Sequence, residues 1–115
     1  MHYGFRLGTS EVVALDAIAF IGRRPSRPRV VAGESRLVRV LSPRHEVSAT
    51  HLEIRQIGRS IVVSDLHSTN GTMVGVPGAP VRALRPGDSL VVTAGTLIDI
   101  GDNNVIEILP LQARA

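Results

Sequence analysis

The chain has 115 residues, enough for one domain with a workable core and too few for two. It contains no cysteine, which excludes a disulfide framework and a thiolate metal site. All 13 basic residues are arginine, so the net charge of +3 persists to high pH, and the sequence pI of about 11.0 measures missing lysine more than a large positive field.

In chain order the pattern is one of short β-type runs divided by turns. Tyr3 to Leu7 reads as a strand and Gly8-Thr9-Ser10 as a turn. Val12 to Leu15 and Ala19 to Ile21 are apolar runs separated near Asp16. The segment Gly22 to Pro28 contains two prolines, which oppose regular ladder pairing. Arg36 to Val40 alternates like a half-buried strand, as do Leu52 to Arg55. Ile61 to Ser64, Ser89 to Val92, Thr96 to Ile100 and Val105 to Leu109 complete the set, with a turn at Asp102-Asn103-Asn104. Arg82 to Pro86 is too short to count as a helix. Strands at this spacing predict an all-β sandwich or barrel. Residues 1–110 are expected to form the domain and 111–115 to fray. No uncharged apolar stretch of membrane-spanning length occurs, and the apolar run Val12 to Ile21 is short, broken by Asp16 and without the basic n-region and small-residue cleavage site of a secretory leader. We therefore expect a cytoplasmic protein without a membrane partner.

Charge is unevenly placed. Seven arginines, Arg23, Arg24, Arg27, Arg29, Arg36, Arg39 and Arg44, lie between Ile21 and His45 against one acid, Glu34. That segment favours an anionic partner or is simply a solvated loop. Nucleic acid is not expected, because aromatic residues make up only 3% of the chain and offer few stacking platforms.

Three polar loop segments stand between the strand-like runs: Gly22-Arg23, Ser48 to His51, and Asp65 to Thr72. Arg23 offers a planar fork of donors suited to phosphate. Ser48 and Thr69 add hydroxyls, and Asn70 can both donate and accept, which is what holding a peptide backbone requires. Gly71 permits a backbone geometry that other residues resist. This donor set suits a phosphopeptide. Asp65, a histidine and Ser48 are the ingredients of a catalytic triad, but nothing resembles a nucleophile elbow, so no catalytic residue is expected. His45, His51 and His67 lack a metal-site spacing, and no metal or cofactor is expected.

The order Gly22-Arg23, Val47-Ser48-x-x-His51-Leu52, Asp65-x-x-Ser68-x-Asn70-Gly71-Thr72 and Leu84-x-x-Gly87-Asp88 resembles the forkhead-associated (FHA) domain family, over about Tyr3 to Leu109. The resemblance implies a β-sandwich of about eleven short strands with its binding loops at one end. It implies phosphothreonine-peptide recognition without chemistry, reading the product of a Ser/Thr kinase, and one domain of a larger protein. Arg23, Ser48 (through hydroxyl and backbone amide) and Thr69 resemble the family's phosphate contacts. Asn70 resembles its peptide-backbone contact. Gly22, His51 and Gly71 resemble structural supports of the site, His51 bracing the loops from beneath. The chain departs from many members at Ala49, where a basic residue often follows the binding serine; Arg24, Arg44 or His45 are expected to supply charge instead. A phospho-independent interaction domain of the same fold is the alternative. The absence of lysine suggests a GC-rich bacterial genome.

Overall fold

The computed structural model describes residues 1–29 and 33–112. Eleven strands are present among them: β1 His2–Leu7, β2 Val13–Ala14, β3 Ile18–Gly22, β4 Ser35–Arg39, β5 Leu52–Ile57, β6 Ser60–Asp65, β7 Thr72–Gly75, β8 Arg82–Leu84, β9 Ser89–Val92, β10 Leu97–Asp99 and β11 Val105–Gln112. They form two sheets, ordered β2-β1-β11-β10-β7-β8 and β4-β3-β5-β6-β9. Every pairing is antiparallel except β3 with β4, which run parallel with Gly22 opposite Arg39. The fold is an all-β sandwich, as the strand spacing predicts. Among the described residues no helix is long and apolar enough to cross a membrane.

Alternation along the strands builds the core. Ala19 and Ile21 of β3, Leu52 and Ile54 of β5, and Ile61 and Val63 of β6 face inward from one sheet. Val74 of β7, Ile98 of β10 and Ile106 of β11 form a cross-strand row from the other. These side chains are almost all Val, Ile and Leu, which suit a pleated surface and pack without needing polar partners. Each fully buried one contributes about 1.5–3 kcal/mol relative to exposure.

Three strands differ from the expectation. β7 and β8 occupy sequence without a recognisable β run, and each is held by pairing to a neighbour. β11 also continues through Gln112, two residues into the segment expected to fray; residues 113–115 lie outside the described residues.

The strand directions gather the loops. β3 ends, β5 begins, β6 ends and β9 begins on one edge of their sheet, since Ile21 pairs with Leu52, Leu52 with Asp65, and Ser64 with Ser89. The residues that follow Gly22 and the segments 40–51 and 66–71 therefore meet at one end of the sandwich.

Candidate functional site

Gly22 explains how closely two of these loops approach. A Cβ built on it would lie 2.0 Å from the Ala49 carbonyl oxygen and 2.9 Å from that of Ser48. The requirement here is space for backbone against backbone, not an unusual φ. That contact allows the Arg23 amide to donate to the Ser48 carbonyl at 3.1 Å and the Arg24 amide to the Ala49 carbonyl at 3.0 Å. The half-buried Arg23 side chain donates from Nε to the Val47 carbonyl at 3.0 Å. Its terminal nitrogens have no ion-pair or hydrogen-bond partner among the described residues.

Ser48 is set in place by two neighbours. Its hydroxyl oxygen accepts from the Thr69 amide at 3.0 Å, which leaves the hydroxyl proton for another acceptor. Its own amide donates to His51 Nδ1 at 3.0 Å. The backbone amide expected to meet the ligand is thus used internally, and the hydroxyl is the group Ser48 offers. Asn70 Nδ2 donates to the Glu46 carbonyl at 3.0 Å, so it ties loop 66–71 to loop 40–51. Thr69 and Asn70 are both exposed.

His51 is fully buried beneath this surface. An amide can only donate, so Nδ1 must be the accepting nitrogen and Nε2 carries the proton. Nε2 donates to the Gly71 carbonyl at 2.9 Å and lies 3.1 Å from Thr72 Oγ1. Burial pushes the pKa below the ordinary histidine value, and the Gly71 carbonyl and the nearby Asp65 charge only partly oppose that. The neutral ring therefore links the two loops in one fixed tautomer.

Asp65 extends the network. This buried carboxylate accepts from the Ser68 hydroxyl at 2.5 Å, the Ser68 amide at 3.1 Å and the Thr72 hydroxyl at 3.2 Å. The Ser68 hydroxyl oxygen in turn accepts from the Gly71 amide at 3.0 Å. Gly71 itself sits at φ 85°, in the left-handed region that favours glycine. The Asp65 backbone pairs with the 85–88 turn through its amide to the Asp88 carbonyl and the Gly87 amide to its own carbonyl. Loop 40–51 is also held from the other sheet: the Glu46 amide and the Ser42 hydroxyl both donate to Asp102, and the Asp102 amide donates to Glu46 Oε1.

The structure brings Arg23, Ser48, Thr69 and Asn70 to one surface, with Gly22, His51 and Gly71 supporting it. The three residues expected to add charge part company. Arg24 lines a pocket with Arg23, whereas Arg44 does not; the charge and backbone of Arg44 act on Asp102, whose carboxyl is held below its usual range. Burial, the largest single influence, works against that lowering; the hydrogen bonds from Ser42 and Glu46 together with the Arg44 backbone and charge outweigh it. Arg39 and His45 line the Arg23 pocket too. Arg39 was not identifiable from sequence, because its position depends on the parallel β3–β4 register.

No curated protein shows significant sequence similarity to this chain. Solved structures do. The FHA domain of human APLF, solved with an XRCC1 bisphospho peptide, is 16% identical with a TM-score of 0.68, covering 96% of this chain and all of that one. A domain from a study of phosphothreonine-dependent FHA domain interactions is 25% identical with a TM-score of 0.64, covering 98% and 100%. The FhaA FHA domain, solved with the intracellular domain of Rv3910, is 28% identical with a TM-score of 0.62, covering 92% and 98%. The FHA domain family profile matches residues 20–101, from β3 through the turn after β10, and so takes in all three loops and their supports. The chain belongs to the FHA domain family.

Proposed function

We propose that this domain recognises phosphothreonine in a peptide or protein, and recruits partners marked by a Ser/Thr kinase without catalysing a reaction. The observation that carries this reading is a set of donors held in place yet left with free valence. Arg23 is anchored through Nε, with its terminal nitrogens available. Ser48 accepts through its oxygen and keeps its proton to donate. Thr69 adds an exposed hydroxyl, and Asn70 retains its carbonyl oxygen for a peptide amide. Such a set matches the tetrahedral oxygens of a phosphate next to an extended backbone. Charge-assisted hydrogen bonds are worth about 1.5–3 kcal/mol each, less where solvent screens them. FHA structures solved with a bisphospho peptide and in a study of phosphothreonine-dependent interactions support the assignment. We place the domain in the cytoplasm as part of a longer protein.

The test is binding to an oriented phosphothreonine peptide library, with matched phosphoserine and unphosphorylated peptides, by fluorescence polarisation. We expect phosphothreonine to bind at least tenfold more tightly than its unphosphorylated match, and Arg23→Ala or Ser48→Ala to remove most of that difference. A phospho-independent reading would draw on another face, where the exposed side chains of Met73, Val81, Leu97 and Val105 border a groove of about 640 Å³. It requires equal binding of phosphorylated and unphosphorylated peptides.

A further inference from the structure

Beside the Arg23–Ser48 surface lies a pocket of about 450 Å³ whose charged and titratable lining is Arg23, Arg24, Arg39 and His45, with no carboxylate. The backbone makes this convergence. The Arg24 amide pairs with the Ala49 carbonyl, so Arg24 stands across from the residue where the family often places a cation. The parallel register puts Arg39 opposite Gly22, one residue from Arg23. His45 enters from loop 40–51 in a left-handed backbone conformation, φ 55°. A contiguous cavity edge of about 520 Å³ runs on from Arg24 and Arg39 to Pro25 and Leu37, along the exposed edge strand β4.

Neighbouring arginines show what is unusual here. Arg36, also on β4, donates three hydrogen bonds to Asp16, and Arg55 on β5 pairs with Glu53. Among the described residues Arg24 and Arg39 have no carboxylate within ion-pair distance. Like charges gathered in one concavity repel, and a ligand that brings negative charge relieves that repulsion. Arg23 is the cation the phosphothreonine needs; Arg24 and Arg39 exceed that need.

We propose that this pocket is a second anion subsite, which takes a carboxylate or a second phosphate carried on the same peptide near the phosphothreonine. The inference rests on the phosphothreonine reading above and specifies its ligand: a peptide with two separated anionic groups. Arg24 and Arg39 bind the second group, His45 borders it, and Arg23 divides the two subsites. A phosphate gains more than a carboxylate, because it carries nearly twice the charge and a third acceptor oxygen.

The experiment uses phosphothreonine peptides in which Glu, or phosphoserine, is placed in turn at each of the four positions on either side. Affinities are measured for the wild-type chain, Arg24→Gln/Arg39→Gln and Arg23→Ala, with thermal melts to confirm folding. At the best position we expect Glu to tighten binding measurably and phosphoserine to tighten it more, within about 2- to 30-fold, the range for two partly exposed charge pairs. The double variant should lose that gain while binding the singly phosphorylated peptide within about threefold of wild type. Single Arg24→Lys and Arg39→Lys variants should keep part of the gain. An equal gain in wild type and double variant, or no gain at any position, overturns the second subsite. So does an equal loss for both peptide types, which would assign Arg24 and Arg39 to the first phosphate. Failure of the singly phosphorylated peptide to bind wild type overturns the underlying reading instead. An oligonucleotide that binds wild type and competes at Arg24 and Arg39 more tightly than any peptide would assign the pocket to a different ligand.

Discussion

Replacing Gly22 with alanine tests the site's construction with a single methyl group. The new Cβ would sit 2.0 Å from the Ala49 oxygen and 2.7 Å from the Ala49 carbonyl carbon. Contacts under 3.0 Å do not persist, so β3 and the 40–51 loop must separate by about 1 Å, and the obstacle is backbone that cannot rotate away. The bonds from the Arg23 amide to Ser48 (3.1 Å) and from the Arg24 amide to Ala49 (3.0 Å) would then stretch to about 4 Å, beyond useful range. Losing two such bonds costs about 1–3 kcal/mol in total. Overpacking strain adds about 1–3 kcal/mol. The expected destabilisation is therefore about 2–6 kcal/mol by urea unfolding, with phosphopeptide affinity reduced at least tenfold in the protein that still folds. Gly75→Ala is the control. Its Cβ would meet only Val81 Cγ2 at 3.4 Å and the Leu97 carbonyl oxygen at 3.9 Å, so it should be neutral or slightly stabilising. A Gly22→Ala variant within about 0.5 kcal/mol of wild type and binding normally would refute the account of Gly22 as a spacing residue.

Three further expectations follow from the buried network. Asp65→Ala leaves the Ser68 amide, the Ser68 hydroxyl and the Thr72 hydroxyl without their acceptor, so unfolding free energy should fall by at least about 3 kcal/mol in urea titrations. Ser42→Ala removes the donor to Asp102 and the acceptor for the Val47 amide; it should cost about 1–3 kcal/mol and weaken phosphopeptide binding, although Ser42 contacts neither Arg23 nor Ser48 in this network. The lowered pKa of His51 gives a pH dependence: the unfolded chain takes up a proton near pH 6.5 and the folded chain only at lower pH. Stability is therefore complete above pH 6.5 and falls as pH drops through the folded value, by up to about 1.4 kcal/mol per unit. Urea midpoints at pH 7.5, 6.5, 5.5 and 4.5, with the His51 ring followed by NMR, measure this. A stability that rises between pH 6.5 and 5 while His51 titrates would contradict it.

Legibility in the sequence divided along a physical line. Strands that cross the core were readable, because Phe5, Ile21, Ile54, Val63 and Ile106 impose alternation on their neighbours. β7 and β8 were not. Thr72–Gly75 buries Thr72 and Val74, and Arg82–Leu84 buries only Leu84. Their hydrogen-bonded neighbours, not their composition, make them strands. The residues proposed to meet the ligand were singled out through loop chemistry and the family pattern, and the structure brings them to one surface. The internal use of the Ser48 amide was not, since it depends on which nitrogen of His51 faces it. Nor could the sequence pair Arg39 with Gly22, because a parallel register across the segment between β3 and β4 leaves no local signature.

The site's geometry also explains how few residues suffice for it. Three of the four groups proposed to meet the ligand are each fixed by a second group that the ligand does not need. Val47 fixes the Arg23 guanidinium, Thr69 the Ser48 hydroxyl, and Glu46 the Asn70 amide. These fixing partners are backbone atoms, so they survive most side-chain substitution. Holding three side chains in advance spares about 0.5–1.5 kcal/mol each on binding. The loss of a cation at Ala49 thus removes one charge without loosening the frame, because Ala49 serves the frame through its carbonyl. The same carbonyl holds Arg24 beside the site. Substituting Ala49 with lysine should accordingly leave stability within about 0.5 kcal/mol, because the side chain at 49 is exposed and the backbone contact is unchanged. It should also tighten binding of a singly phosphorylated peptide and of a peptide with two anions by about the same factor, because the phosphothreonine is common to both and the second group is held by Arg24 and Arg39. A much smaller gain for the peptide with two anions would mean that Arg24 and residue 49 serve the same phosphate.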